Sequence, residues 1–267
     1  MSFAEITRPH PGVAVVTLNR PERMNAMAFD VMIPFRDALR EVGHENEARV
    51  VVITGAGRGF CSGADHENPG TIPHIDGLTL PTIALRSMEM LDDVIATIRR
   101  LHQPVIAAVN GAAIGGGLCL ALSADIRIAS EDAYFRAAGI NNGLTAAELG
   151  LSYLLPRTIG QSRAAEIMLT GRDVEAAEAD RIGLVSKVVP GEELLSACFE
   201  LADQINGWSR VGAELTKRQL WNSLDATSLQ SHMDAEGTSQ LFVRCLTRNF
   251  EESVAARKEG RAPHFTD

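Results

Sequence analysis

The sequence predicts an α/β fold. Short β-branched runs alternate with helix-spaced apolar patterns, and the runs end in glycine clusters. Val13–Leu18 has the composition of a strand, and Met32, Phe35, Leu39 and Val42 then recur three and four apart, as one face of a helix does. Pro34 interrupts that pattern and is compatible with a helix only near its first turn. The continuous runs Val50–Thr54 and Val105–Val109 read as strands buried on both faces. Residues 68–82, rich in proline and glycine, read as a loop. Leu85, Met88, Ile95 and Ile98 then mark an amphipathic helix of about four to five turns. Gly117–Leu122 reads as a short apolar helix and Ile126–Ala129 as a further strand.

Beyond Pro190 the strand-like runs cease. Leu194, Phe199, Leu201, Ile205, Leu215, Leu220, Leu241 and Phe242 fall into helical spacing. Residues 1–190 are therefore expected to form the core, and 191–267 a helical C-terminal region.

Composition excludes several classes. With 267 residues, 45% hydrophobic and 22% charged, the chain is an ordinary globular one. A net charge of −9 argues against a general nucleic-acid or anionic-membrane surface. The four cysteines (Cys61, Cys119, Cys198 and Cys245) show no CxxC pairing, which suits a reducing compartment. The N-terminus has no basic, then apolar, signal pattern. The apolar segment 105–122 holds too many glycines for a spanning helix. A cytoplasmic, soluble protein is expected.

The glycine clusters carry the chemistry. Gly55-Ala-Gly57-Arg-Gly59 lacks GxGxxG spacing, and no lysine followed by serine or threonine succeeds Gly115-Gly116-Gly117, so neither reads as a nucleotide loop. Tight turns explain part of both. The second cluster also joins a strand to an apolar helix. Glycines let backbone approach a ligand, and a helix start presents free N–H groups. With no basic side chain beside it, such a site suits a carbonyl oxygen that becomes negative, an oxyanion hole. No Gly-x-Ser-x-Gly occurs, because Ser62 stands in Gly-Phe-Cys-Ser-Gly. His66, Glu67, His74 and Asp76 match no metal-ligand spacing.

Four segments resemble the enoyl-CoA hydratase/isomerase (crotonase) superfamily. Asn19-Arg-Pro-Glu-Arg-Met-Asn25-Ala26 is similar to its NRPxxxNA segment, and Gly59-Phe-Cys-Ser-Gly63-Ala64-Asp65 to its F-(C/A)-(S/A)-G-A-D segment. Asn110–Gly117 with Ser123–Ala129 resembles its NGxAxGGG…DIRIA core, and Thr170-Gly171 with Gly183-Leu-Val185 a later stretch. The resemblance implies a spiral of ββα units and a helical C-terminal part that builds homotrimers or dimers of trimers. It implies an acyl-CoA thioester substrate of the kind handled in fatty acid metabolism, with coenzyme A as part of that substrate and no separate cofactor or metal. By position, the backbone donors are Ala64 and Gly116. Substrate contacts are expected from Arg23, Met24, Ala26, Asp65, His66, Gly115 and Leu144.

The sequence departs from the family where its hydratases carry two glutamates, at Cys119 and Gly139. Neither residue replaces a carboxylate, and Cys119 reads as packing. Glu148 falls where other branches of the family place an acid. A helix N-terminal role is the plain alternative for it. The leading expectation is an enoyl-CoA hydratase-like enzyme with Glu148 as sole acid/base. Δ3–Δ2 enoyl-CoA isomerisation is a close alternative, and a non-catalytic acyl-CoA binder a further one.

Overall fold

The computed structural model describes residues 3–267. Ten strands and ten α-helices lie among them. The strands are β1 (Ala4–His10), β2 (Val13–Leu18), β3 (Val50–Gly55), β4 (Gly59–Cys61), β5 (Val105–Val109), β6 (Ala112–Ile114), β7 (Ile126–Ser130), β8 (Tyr134–Arg136), β9 (Asp173–Glu175) and β10 (Lys187–Val189). The helices are α1 (Phe29–Gly43), α2 (Leu80–Arg100), α3 (Gly116–Ser123), α4 (Leu151–Ile159), α5 (Gln161–Thr170), α6 (Ala176–Arg181), α7 (Leu194–Asn206), α8 (Arg210–Ser223), α9 (Leu229–Leu246) and α10 (Asn249–Glu259). Among the described residues no helix is long and apolar enough to cross a membrane.

The strands form two sheets, one ordered β1-β2-β3-β5-β7-β10 and one ordered β4-β6-β8-β9. All pairings in the larger sheet are parallel except β1 with β2. Three times the chain lays one strand in the large sheet and the next in the small one: β3 then β4, β5 then β6, β7 then β8. Each pair leads to a helix. The site segments lie where the chain passes between sheets.

The unbroken apolar runs have a direct cause. Ala14, Val16, Val51, Ile53, Ala107 and Val109 face the main core with α1, α2 and α3. Their alternates Val13, Val15, Val50, Val52, Ile106 and Ala108 pack on Leu194, Ala197, Cys198 and Ala202 of α7. Period-two alternation then sends apolar residues to both faces. Burying each large side chain contributes about 1.5–3 kcal/mol.

Two helices differ from expectation. Helix α2 starts at Leu80, so the loop ends at residue 79 and the helix is longer than expected. Pro81 sits in the first turn, where a missing N–H leaves no helical carbonyl without a partner. Its inward face is Val94, Ile95, Thr97 and Ile98, whereas Leu85 and Met88 are exposed. Pro34 lies inside α1 beyond the first turn, where the carbonyl of Asp30 loses its helical donor. Asp30 itself is exposed.

A buried charge cluster ties α8 to the sheet. Asp125 accepts hydrogen bonds from the Val105 N–H (2.6 Å) and the Trp221 Nε1–H (2.6 Å), and pairs with Lys217 Nζ at 2.9 Å. Lys217 also donates to the Gln103 carbonyl at 2.8 Å. Its side chain is 5% exposed, so removing it strands the Asp125 charge. Lys217→Met is expected to lower the free energy of unfolding by about 3 kcal/mol. Urea titration checks this, and an unchanged midpoint would show that the pair contributes nothing to the fold.

Candidate active site

The site is assembled from two glycine-bearing segments, residues 55–64 after β3 and 110–117 after β5. Asn110 clasps them: its Oδ1 accepts from the Gly55 N–H (3.2 Å), and its Nδ2 donates to the carbonyls of Gly57 (3.0 Å) and Gly59 (3.3 Å). The glycines are required by proximity. A Cβ on Gly117 would lie 2.0 Å from the Cys61 carbonyl oxygen, and one on Gly111 2.1 Å from that of Arg58. Gly115 has φ +53° and ψ −118°, a conformation that L side chains avoid. The Gly115 N–H donates to the Arg136 carbonyl at 2.8 Å, which fixes the turn.

Two backbone donors result. Met27 bridges Ala64 in parallel fashion, donating to the Gly63 carbonyl (2.7 Å) and accepting from the Asp65 N–H (3.0 Å). That pattern turns the Ala64 N–H away from Met27, and among the described residues it has no acceptor. Gly116 opens α3, so its N–H has no intrahelical partner. The segments touch: a Cβ on Gly63 would lie 3.6 Å from the Gly116 nitrogen. Such a pair can serve one oxygen that gains negative charge, at the positive end of a helix.

Glu148 faces this turn. Its Oε1 lies 3.4 Å from where a Gly115 Cβ would stand. Burial pushes its carboxyl pKa above the ordinary glutamate range, and the charge of His66 partly offsets this. The carboxylate has no hydrogen-bond or ion-pair partner among the described residues. It does not cap α4: Gly150 holds the N-cap, and the Glu148 side chain turns toward the start of α3 instead. Leu149 has φ +45° and Gly150 φ +81°. For a bulky residue like Leu149 that is strained, and such strain persists only where surroundings enforce it. Leu149 packs over the hole, its Cδ1 3.4 Å from where a Gly116 Cβ would stand.

The other positions separate into two groups. Arg23, Met24, Ala26, Asp65 and His66 lie on the segments joined by the Met27–Ala64 bridge. Asp65 is buried and its carboxylate is occupied: it accepts from Arg20 Nη1 (2.9 Å), Arg23 Nη2 (2.8 Å) and the Glu67 and Asn68 N–H groups. The Arg23 contact leads in holding its pKa down at about 2. Arg23 also pairs with Glu67 at 2.6 Å. Met24 and Asn25 both have positive φ, and buried Asn25 donates to the Ala56 and Gly59 carbonyls. His66 and Leu144 are exposed, and His66 Nε2 meets Asn142 Nδ2 at 3.3 Å. Arg136 pairs with Asp173 at 2.5 Å and so is engaged away from the turn.

Both family glutamate positions are closed to a carboxylate. Cys119 is fully buried; burial, then Glu148, raises its thiol pKa well above the ordinary value. Its Sγ–H donates to the Glu148 carbonyl at 3.5 Å, consistent with packing. At Gly139 a Cβ would lie 2.1 Å from the Thr145 carbonyl oxygen, because the 140–146 loop folds back over it. Sequence reasoning missed Asn25, Met27, Asn110 and Leu149 as shapers of the site. The asparagines stand inside the quoted motifs, which was the only signal for them.

Comparison with known proteins gives the family. The enoyl-CoA hydratase/isomerase family profile matches residues 8–267. A "probable enoyl-CoA hydratase" of Mycobacterium tuberculosis is 69% identical over 267 residues, covering 100% of this chain and 94% of the relative. A solved structure of a probable enoyl-CoA hydratase/isomerase from Mycobacterium abscessus has a TM-score of 0.95 at 68% identity, covering 99% of this chain and 98% of that one. A solved monofunctional enoyl-CoA isomerase from M. smegmatis has a TM-score of 0.75 at 61% identity, covering 87% of this chain and 99% of its own. An unpaired acid facing two free backbone donors thus sits in a chain that belongs to the enoyl-CoA hydratase/isomerase family.

Proposed function

We propose that this enzyme isomerises a 3-enoyl-CoA to a 2-enoyl-CoA, with Glu148 as the sole acid/base. One observation carries the reading: a single unpaired carboxylate faces the two free N–H groups, while Asp65 and Glu67 are held by arginines. The thioester oxygen is held by the N–H groups of Ala64 and Gly116, each worth about 2.7–4 kcal/mol to the enolate-like transition state. Glu148 removes a proton from C-2. The C–H electron pair forms the C-1/C-2 double bond as the carbonyl π pair moves onto oxygen. When the carbonyl re-forms, the double bond shifts to C-2/C-3, and the former C-3/C-4 pair takes the proton back from Glu148 at C-4. One carboxylate serves both ends, so no second acid is needed.

Hydration is the second reading, favoured by the name of the 69% identical relative, a probable enoyl-CoA hydratase. It needs a water activated on one carbon and a proton delivered to the other, and the positions that would supply the second acid are Cys119 and Gly139. In either reaction CoA runs along Arg23, Met24, Ala26, the backbone of Asp65 and His66, with Gly115 and Leu144 toward the acyl group. We further propose that the strand-strand-helix returns form the turns of a spiral. Residues 191–267 then form an assembly region for a homotrimer or dimer of trimers, consistent with exposed Leu220, Leu229, Leu241, Phe242, Leu246 and Phe250.

Mass spectrometry of 2-enoyl- and 3-enoyl-CoA thioesters in heavy water tests the assignment. A shifted double bond with no water adduct, whether or not deuterium exchanges at Glu148, supports isomerisation; an adduct that Glu148→Gln abolishes makes the enzyme a hydratase. Glu148→Gln is expected to lower kcat by about 10²–10⁴-fold. Turnover equal to wild type would remove Glu148 from the mechanism.

The base acts unprotonated, so kcat/KM should rise with pH through a midpoint above the ordinary glutamate value of about 4.3 and fall away below it. Stability runs the other way. A carboxyl whose folded pKa is raised holds more protons folded than unfolded, so stability declines as pH rises from the unfolded value to the folded one. Glu148→Gln should therefore melt at a higher temperature at neutral pH, which calorimetry reads. Gly139→Glu, although it restores a family glutamate, should yield no hydration product and lose about 1–3 kcal/mol of stability to the clash with the Thr145 carbonyl.

A further inference from the structure

We propose that the cleft between the C-terminal end of α2 and helix α8 is a binding site for a small phosphorylated anion, separate from the acyl-CoA site. The cleft has a volume of about 400 Å³. Arg99, Arg100, His102, Lys217 and Arg218 line it, with Glu214 the one acid in its wall. In a chain of net charge −9 this is a local reversal of sign. Lys217 is committed to Asp125, but among the described residues Arg99, Arg100 and Arg218 have no ion-pair partner.

Two of these cations have a simpler use, since Arg99 and Arg100 complement the carbonyl end of α2. Arg218 does not: it comes from α8, a different helix, and faces the same cleft. Three guanidinium groups without an ion-pair partner among the described residues line this one cleft from two helices, and each carries the forked N–H donors that suit phosphate oxygens. The floor is rigid. Arg99 lies over the Trp221 ring at 4.2 Å, and Trp221 and Lys217 are both anchored on Asp125.

The place in the fold separates this cleft from the chemistry. Residues 101–103 lead into the start of β5, whereas Asn110 and the glycine turn follow its far end. The strand alone spans about 13 Å between them. Occupancy of the cleft and turnover at Glu148 can therefore be measured independently.

The test is a fluorescence titration with inorganic pyrophosphate in a Trp208→Phe background, which leaves Trp221 as the one indole of the two in the chain. Saturating coenzyme A is present throughout, so that the acyl-CoA site is filled. A ligand that engages Arg99 changes the cation over the Trp221 ring, and a saturable signal of one pyrophosphate per chain is expected. Arg99→Gln with Arg218→Gln should weaken it at least tenfold, about 1.4 kcal/mol, while leaving acyl-CoA turnover unchanged. No saturable signal, or equal affinity in the double variant, overturns the proposal. If the double variant instead changes only the sedimentation coefficient, the cleft is a contact between protein copies and the proposal fails. An absence of any enzymatic turnover would bear on the Glu148 reading and leave this result standing.

Discussion

The site depends on backbone meeting backbone. Between residues 55–64 and 110–117 the two chain segments lie too close for side chains: a Cβ on Gly63, Gly111 or Gly117 would come within 2.7 Å of a carbonyl oxygen across the gap. That contact sets the Ala64 peptide beside the first turn of α3. The donors are then fixed by backbone geometry rather than by rotamers, so an oxygen gaining charge between them would require little reorganisation. The half-buried amide of Asn110 holds the seam closed by its hydrogen bonds to Gly55, Gly57 and Gly59, and the buried amide of Asn25 braces the first segment through the Ala56 and Gly59 carbonyls.

The same crowding explains how one acid stands alone. The loop that fills the space over Gly139 also carries the chain to Glu148, and the left-handed pair Leu149-Gly150 turns the carboxylate back toward α3. Burial without a partner opposes ionisation, so the carboxyl pKa is raised. The price is local strain at Leu149 and a carboxylate without a partner among the described residues.

What the sequence discloses follows from how much of each element is local. The long β-branched strands were legible because double-sided burial leaves an unbroken run, and β2, β3, β5 and β7 fall within one residue of where that pattern puts them. Strands β4, β6, β8 and β9 are three residues each, too short for any period, and exist through their neighbours. In α2 the apolar spacing was visible, but spacing cannot say whether a partner lies in the same chain, and Leu85 and Met88 face outward. The glycine turn was legible as a turn because its residue types are demanded by φ and by contact distance. The φ values at Met24, Asn25 and Leu149 were not, since nothing in those side chains requires a left-handed backbone.

The buried thiols under the turn have a chemical consequence of their own. A thioester is open to attack by thiolates, and Cys119 lies directly beneath the segment carrying Glu148, with Cys61 beside it. Burial pushes Cys61 to about 12 and Cys119 well upward, so both remain as S–H. An S–H group is a poor nucleophile. On the proposed reading, an acyl thioester bound at the turn would meet sulfurs held as S–H, which would leave the acyl chain on coenzyme A.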